Sequence, residues 1–206
     1  MLKLLAVIYI IFLSLCNLLN IILDFINKRE HEKIPDRTRT RILVSALSGI
    51  LIGLLYAKYT TSFILFKYII LMTYLIICGY IDAHTKNVYT FISIIFLVIG
   101  LVFLGIDLVY YNADIYSYLV GILVSLVICS GLGFIKWLGW GDVEVFVIST
   151  IYIGGFISVF NIFLALAIAG IGSIYRLIFK KAKLNDRGAL CPYIAIASYL
   201  LIIFIL

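Results

Sequence analysis

Two aspartates stand 60 positions apart in a chain that is otherwise mostly apolar. Asp82 stands at the edge of one long apolar run, in the polar island Tyr80-Ile81-Asp82-Ala83-His84-Thr85-Lys86-Asn87. Asp142 opens another, behind Lys136-Trp137-Leu138-Gly139-Trp140-Gly141 and ahead of Val143-Glu144. A carboxylate at a membrane boundary is costly to place, so each is a functional candidate by default. If the two meet, like charges a few ångströms apart cannot both ionise comfortably, and the pair shares a proton. One carboxylate then acts as general base on a water while the other donates to a carbonyl oxygen. That chemistry needs no metal, no cofactor and no covalent intermediate. Gly139 and Gly141 keep side-chain bulk away from Asp142, so a substrate backbone can approach closely. Each aspartate also has a plainer reading as a solvated helix end, and Asp142 in particular as an N-cap, which does not exclude catalysis.

The elements that position these groups follow from composition. The 206 residues are 65% hydrophobic and only 13% charged, with a mean hydropathy of +1.23. Soluble domains average roughly 25% charged residues. The chain is therefore a polytopic membrane protein, and continuous rather than alternating apolar runs select helices over a β-barrel. The fold class is an all-α membrane bundle forming one integral domain over residues 1–206. The four cysteines, Cys16, Cys78, Cys129 and Cys191, include no CxxC pair, so neither a zinc site nor a disulfide framework is expected. The net charge of +6 is a topology signal, not a nucleic-acid footprint.

About eight spans are expected: Leu2–Ile26, read as a span rather than a cleaved signal, then Ile42–Ala57, Phe63–Ile81, Thr90–Gly105, Ile115–Ile135, a short sixth over Val143–Ile153, Phe156–Ile174 and Ala189–Leu206. Charge decides whether the run from Val143 to Ile174 is one helix or two. The 175–188 loop carries Arg176, Lys180, Lys181, Lys183 and Arg187, and the 27–41 loop carries six Lys and Arg. A break at Gly154-Gly155 puts both loops on one side, as the positive-inside rule requires. Both termini then lie outside, and both aspartates at the cytoplasmic interface. Lys67 is expected to snorkel from the third span to the outer interface. Asn17 and Asn20 are expected to form interhelical hydrogen bonds, Asp24 to face the interface, and the aromatics to form interface belts and packing.

Gly139-Trp140-Gly141-Asp142 matches the Gly-x-Gly-Asp motif of intramembrane aspartyl proteases, and with Asp82 at a span end the chain resembles the type IV prepilin and preflagellin peptidases. Ala189-Leu190-Cys191-Pro192-Tyr193-Ile194-Ala195 is similar to that family's late Pro-aromatic helix start. Leu18-Leu19-Asn20-Ile21-Ile22 is a weaker echo of a run in its bacterial members. The chain departs from the pattern at Tyr89, where the family usually has Pro, and at Glu144, where it usually has Lys. The resemblance implies a membrane aspartic endopeptidase with catalytic Asp82 and Asp142. Its substrate would be a prepilin-like precursor, cut at the cytoplasmic face between a basic leader and an apolar helix. Substrate contacts are expected at Gly139, Gly141, Glu144 and Lys136, with Glu144 facing leader cations or complementing its own helix dipole. His84 is expected as a loop residue beside Asp82. Only the 27–41 loop stands where larger relatives carry a cytoplasmic domain linked to N-methylation, so cleavage is expected without methyl transfer.

Two other classes fit the acids less well. Presenilin and signal-peptide-peptidase proteases share Tyr-Asp, Gly-x-Gly-Asp and a late Pro, but carry their aspartates on adjacent spans. A small proton- or cation-coupled transporter would use the paired acids for ion binding.

Overall fold

The computed structural model describes residues 2–30, 38–59, 62–179 and 188–206. Among them eight helices follow in chain order: α1 (Leu2–Glu30), α2 (Thr38–Lys58), α3 (Ser62–Thr85), α4 (Thr90–Tyr110), α5 (Ile115–Phe134), α6 (Trp140–Ile153), α7 (Ile157–Phe179) and α8 (Cys191–Phe204). Six of them are long and apolar enough to cross a bilayer, so the protein is a multi-pass membrane bundle. Lipid offers no partner to a bare backbone, and a helix satisfies its own.

The two short helices, α6 and α8, have 14 residues each. At 1.5 Å per residue each is about 21 Å long, against a hydrocarbon thickness of about 30 Å. Both are central. α6 packs on α3, α4, α5, α7 and α8, and α8 packs on α3, α6 and α7. Nine of the 14 residues of α6 are buried. The eighth element is shorter than its apolar run because Pro192 fixes the first turn and leaves Ala189 and Leu190 outside the helix.

The break at Gly154-Gly155 is present, with φ of +82° and +58°. Both glycines are required there. A Cβ on Gly154 would enter the Tyr118 ring, and one on Gly155 would meet Ser117 Oγ. The connection after α6 thus lies beside the start of α5, at the end of the bundle opposite the aspartates.

Several helices run past their expected ends. α3 continues to Thr85, so His84 is helical rather than in a loop, with Nδ1 2.8 Å from the Tyr80 carbonyl. α4 continues to Tyr110 and carries Asp107 into the bundle. Lys67 therefore does not snorkel. It is buried, and its Nζ donates to Asp107 Oδ2 at 2.7 Å, while the Tyr118 hydroxyl donates to the same oxygen at 3.1 Å. An acid at matching depth on the next helix satisfies the ammonium better than a stretched side chain could. Asn17 is exposed and Asn20 half-buried, and neither makes an interhelical hydrogen bond among the described residues. Asp24 is exposed, as expected. Interhelical polar contacts come instead from Asn161 to Ser198 at 2.9 Å and Thr150 to Ser125 at 3.0 Å. Lys180, Lys181, Lys183 and Arg187 lie outside the described residues, as do Lys33 and Arg37.

Breaking one side of the Lys67–Asp107 pair strands a buried charge. Lys67→Met or Asp107→Leu alone should each destabilise the bundle by about 3–5 kcal/mol. The double variant should recover most of that. Thermal unfolding of the purified protein in detergent, compared across the three variants, measures it.

Candidate active site

Asp82 and Asp142 converge. One carboxylate oxygen of each and the Cys191 sulfur all lie within 4.8 Å of one another. Asp82 is in the last turn of α3, Asp142 in the first turn of α6 and Cys191 at the start of α8. Three helix ends at one depth therefore build the site.

Local sequence explains each end. Lys86, the residue after α3, is left-handed at φ +57°, and its N–H closes on the Asp82 carbonyl at 2.8 Å. α5 ends in a Schellman arrangement. Lys136, at φ +64°, donates to the Gly133 carbonyl, and Trp137 donates to that of Leu132. Only two residues separate Trp137 from the start of α6. Asp142 is not the N-cap of α6. Gly139 is, and Asp142 Oδ2 reaches back from the third helical position to accept the Gly139 N–H at 3.3 Å. This is the carboxylate half of a capping box, and it gives an acceptor to one of the donors that a helix start leaves free.

The two motif glycines do different jobs. Gly139 lines the cavity beside the carboxylates, and a Cβ on it would sit 3.0 Å from Asp142 Oδ2. Gly141 is not on the cavity wall. A Cβ there would approach the Val88 Cβ to 2.7 Å, so its role is close packing of α6 against the connection after α3.

The start of α8 completes the site. The Cys191 N–H donates to Asp82 Oδ2 at 2.9 Å, and the Cys191 thiol donates to Asp142 Oδ1 at 3.4 Å. Gly79, one turn before Asp82, lets this happen. An added Cβ would stand 3.3 Å from Pro192 Cα and 3.4 Å from its N. Cys191 and Gly79 were not singled out by sequence. The pattern before Pro192 pointed to a helix start, but nothing in it said which helix end it would meet.

A cavity of about 700 Å³ opens over the carboxylates. Asp82, Asp142 and Gly139 line it, with Leu166, Gly170 and Arg176 of α7 and Tyr193 of α8. Lys86, Lys136, Trp137 and Trp140 also line it. Of the expected substrate contacts, Lys136 and Gly139 are on this wall, whereas Glu144 and Gly141 are not. Glu144 instead accepts from the Thr90 hydroxyl at 3.4 Å, joining α6 to the start of α4. His84 is also off the wall, its ring tilted at 37° against that of Tyr80. Tyr89, standing where Pro was expected, is the extended residue that leads into α4, with φ −90°.

Among the described residues no Lys or Arg comes within ion-pair distance of either aspartate. The carboxylates answer to each other and to the donors on Cys191 and Gly139. Asp82, Asp142 and Cys191 are also the group among the described residues whose ligand atoms are close enough to share a cation.

The chain is thus a polytopic helical bundle with a facing pair of carboxylates under a cavity. The chain matches the type IV leader peptidase family over residues 69–174, just over half its length, and belongs to that family. Both aspartates fall inside the matched stretch, and Cys191 lies beyond it. No curated protein and no solved structure matches the chain.

Gly141→Ala forces a backbone shift against Val88 and should destabilise the protein by about 1–3 kcal/mol. Gly170→Ala is the control, because a Cβ there meets nothing within 4 Å. Its melting point in detergent should be unchanged or raised, since Ala favours a helix over Gly. Equal losses in both would show that Gly141 is not a packing position.

Proposed function

We propose that the protein is an aspartic endopeptidase that removes the basic leader from prepilin-like precursors at the cytoplasmic face of the cell membrane. The observation that carries this reading is the convergence of Asp82 and Asp142 within 4.8 Å, on two helices joined to the same third one. Two carboxylates at that spacing share one proton. The ionised member takes a proton from a water as that oxygen attacks the scissile carbonyl carbon. The protonated member donates to the carbonyl oxygen. The tetrahedral adduct collapses as the C–N bond breaks: the departing amine takes the proton the base has gained, and one hydroxyl of the adduct returns its proton to the other carboxylate as the new carbonyl forms. No covalent intermediate forms, and the carboxylates end with one proton between them, ready for the next water.

The cavity supports an enzyme that cuts beside a membrane helix. Leu166, Ala169, Gly170 and Leu177 give α7 a smooth apolar wall on which a substrate helix can lie. Gly139, at the rim, leaves room for an extended substrate backbone at the carboxylates. Lys86, Lys136 and Arg176 are the charged groups of the lining besides the two aspartates. A basic leader is repelled from that wall and runs outward, toward water and anionic headgroups. Specificity for the leader's charge is thus set by exclusion, and cutting falls where the apolar helix begins. The same three cations, with the loops on either side, argue that this end of the bundle faces the cytoplasm.

Asp82→Asn and Asp142→Asn should each lower cleavage of a co-expressed prepilin-like precursor by about 10²–10⁴-fold. Both proteins should still purify from the membrane with the wild-type melting point. Cleavage that survives both changes removes the two-aspartate mechanism. Orientation has its own test. In intact cells a cysteine placed at Lys86 or Lys136 should resist a membrane-impermeant thiol reagent, whereas one at Tyr111 should react. The reverse pattern would put the site on the outer face.

A further inference from the structure

Resting on that reading, we propose that Cys191 is the positioning residue of the aspartate pair, holding both carboxylates from a third helix. Among the described residues no other donates to both. Its N–H serves Asp82 Oδ2 at 2.9 Å and its thiol serves Asp142 Oδ1 at 3.4 Å.

The two contacts differ in kind. The N–H belongs to the first residue of α8, where backbone donors have no partner within the helix. Any residue at position 191 supplies it, and Pro192 holds it in place by fixing the following φ. The S–H contact depends on the side chain. Among the described residues it is the donor to Asp142 Oδ1, while Gly139 N–H holds Oδ2. The Asp142 carboxylate is thus tethered at both oxygens, by donors at the starts of two different helices. With the thiol gone, the carboxylate keeps only the Gly139 contact at 3.3 Å and is free to swing toward its own helix start.

A thiol suits this position. It is a small hydrophobe with a weak donor, so it packs without a polar penalty. Cys191 is completely buried, in contact with the apolar core, and it is not on the cavity wall. It therefore acts on the carboxylates from behind and does not touch substrate. Its loss should lower kcat and leave KM alone, because a carboxylate out of line costs turnover, not binding.

The test uses the full-length enzyme in detergent or vesicles, with a precursor that the wild-type protein cleaves. Cys191→Ala should reduce kcat by about 10–100-fold with KM unchanged. Cys191→Ser, which keeps a donor, should return most of the lost rate. A wild-type kcat in Cys191→Ala overturns the proposal, as does a Ser variant no faster than the Ala variant. A second measurement needs no turnover. In a protein with Cys16, Cys78 and Cys129 replaced by Ala, the S–H stretching band of Cys191 reports its acceptor. Asp142→Asn should move that band, because an amide oxygen accepts more weakly than a carboxylate, whereas Asp24→Asn should leave it in place. A band indifferent to Asp142→Asn overturns the proposal. Failure of the protease reading looks different. There Asp82→Asn and Asp142→Asn go on cutting, whatever the band does.

Discussion

Two carboxylates are carried into an apolar bundle and held against each other, and much of the structure answers that constraint. Carboxylates in such a place need donors, because unpartnered charge in a low-dielectric interior is expensive. The donors come from helix starts. α6 offers the Gly139 N–H to Asp142, and α8 offers the Cys191 N–H to Asp82. Helix starts carry unpaired N–H groups and partial positive charge, so they accommodate the acids without bringing a cation into contact. In the mechanism proposed above, a cation bonded to either carboxylate would favour its ionised form and oppose the sharing of a proton between the two. Lys86, Lys136 and Arg176 line the same cavity yet keep outside ion-pair distance of both aspartates.

The short helices make the site accessible. A full-length span at α6 or α8 would carry its first turn through the space that the cavity now occupies. With about 21 Å of helix each, both begin inside the bundle and end at its opposite face. That face is closed by charged and hydrogen-bonded contacts between helices. Lys67, Asp107 and Tyr118 tie α3, α4 and α5 together. Lys58 and Tyr59 cap the free carbonyls at the end of α8, bonding to Ile202 and Ile203. Tyr118 also fills the space beside Gly154 where the chain turns out of α6. One end of the bundle is pinned by charge and hydrogen bonds, and the other is left with a cavity.

Membership of the type IV leader peptidase family fits this division of labour. The matched residues 69–174 contain both aspartates and the whole of α4, α5 and α6. They omit α8, whose first residue bonds to both acids. The α6 motif glycines also separate into two tasks. Gly139 shapes the space beside Asp142, and Gly141 brings α6 against Val88. Glu144, two residues on from Asp142, serves the joint with α4 through Thr90 rather than the cavity.

Hydropathy and charge determined the number of helices, the break at Gly154-Gly155 and the shared depth of the two aspartates, because burial in lipid and the placement of Lys and Arg are local in the chain. The Gly-x-Gly-Asp run marked Asp142 for the same reason: its cap and its close packing are built from neighbouring residues. Local pattern placed helix ends less well. The expected fourth span stopped at Gly105, short of Asp107, yet Lys67, 40 residues away on another helix, draws that acid inside. Cys191 was only one apolar residue before a proline. Its meeting with Asp82 and Asp142 spans 109 and 49 residues of chain. Which helices stand side by side is settled by how three surfaces fit at once, through Gly79 under Pro192 and Gly141 under Val88. No stretch of sequence carries that fit alone, and so only the tertiary structure could decide it.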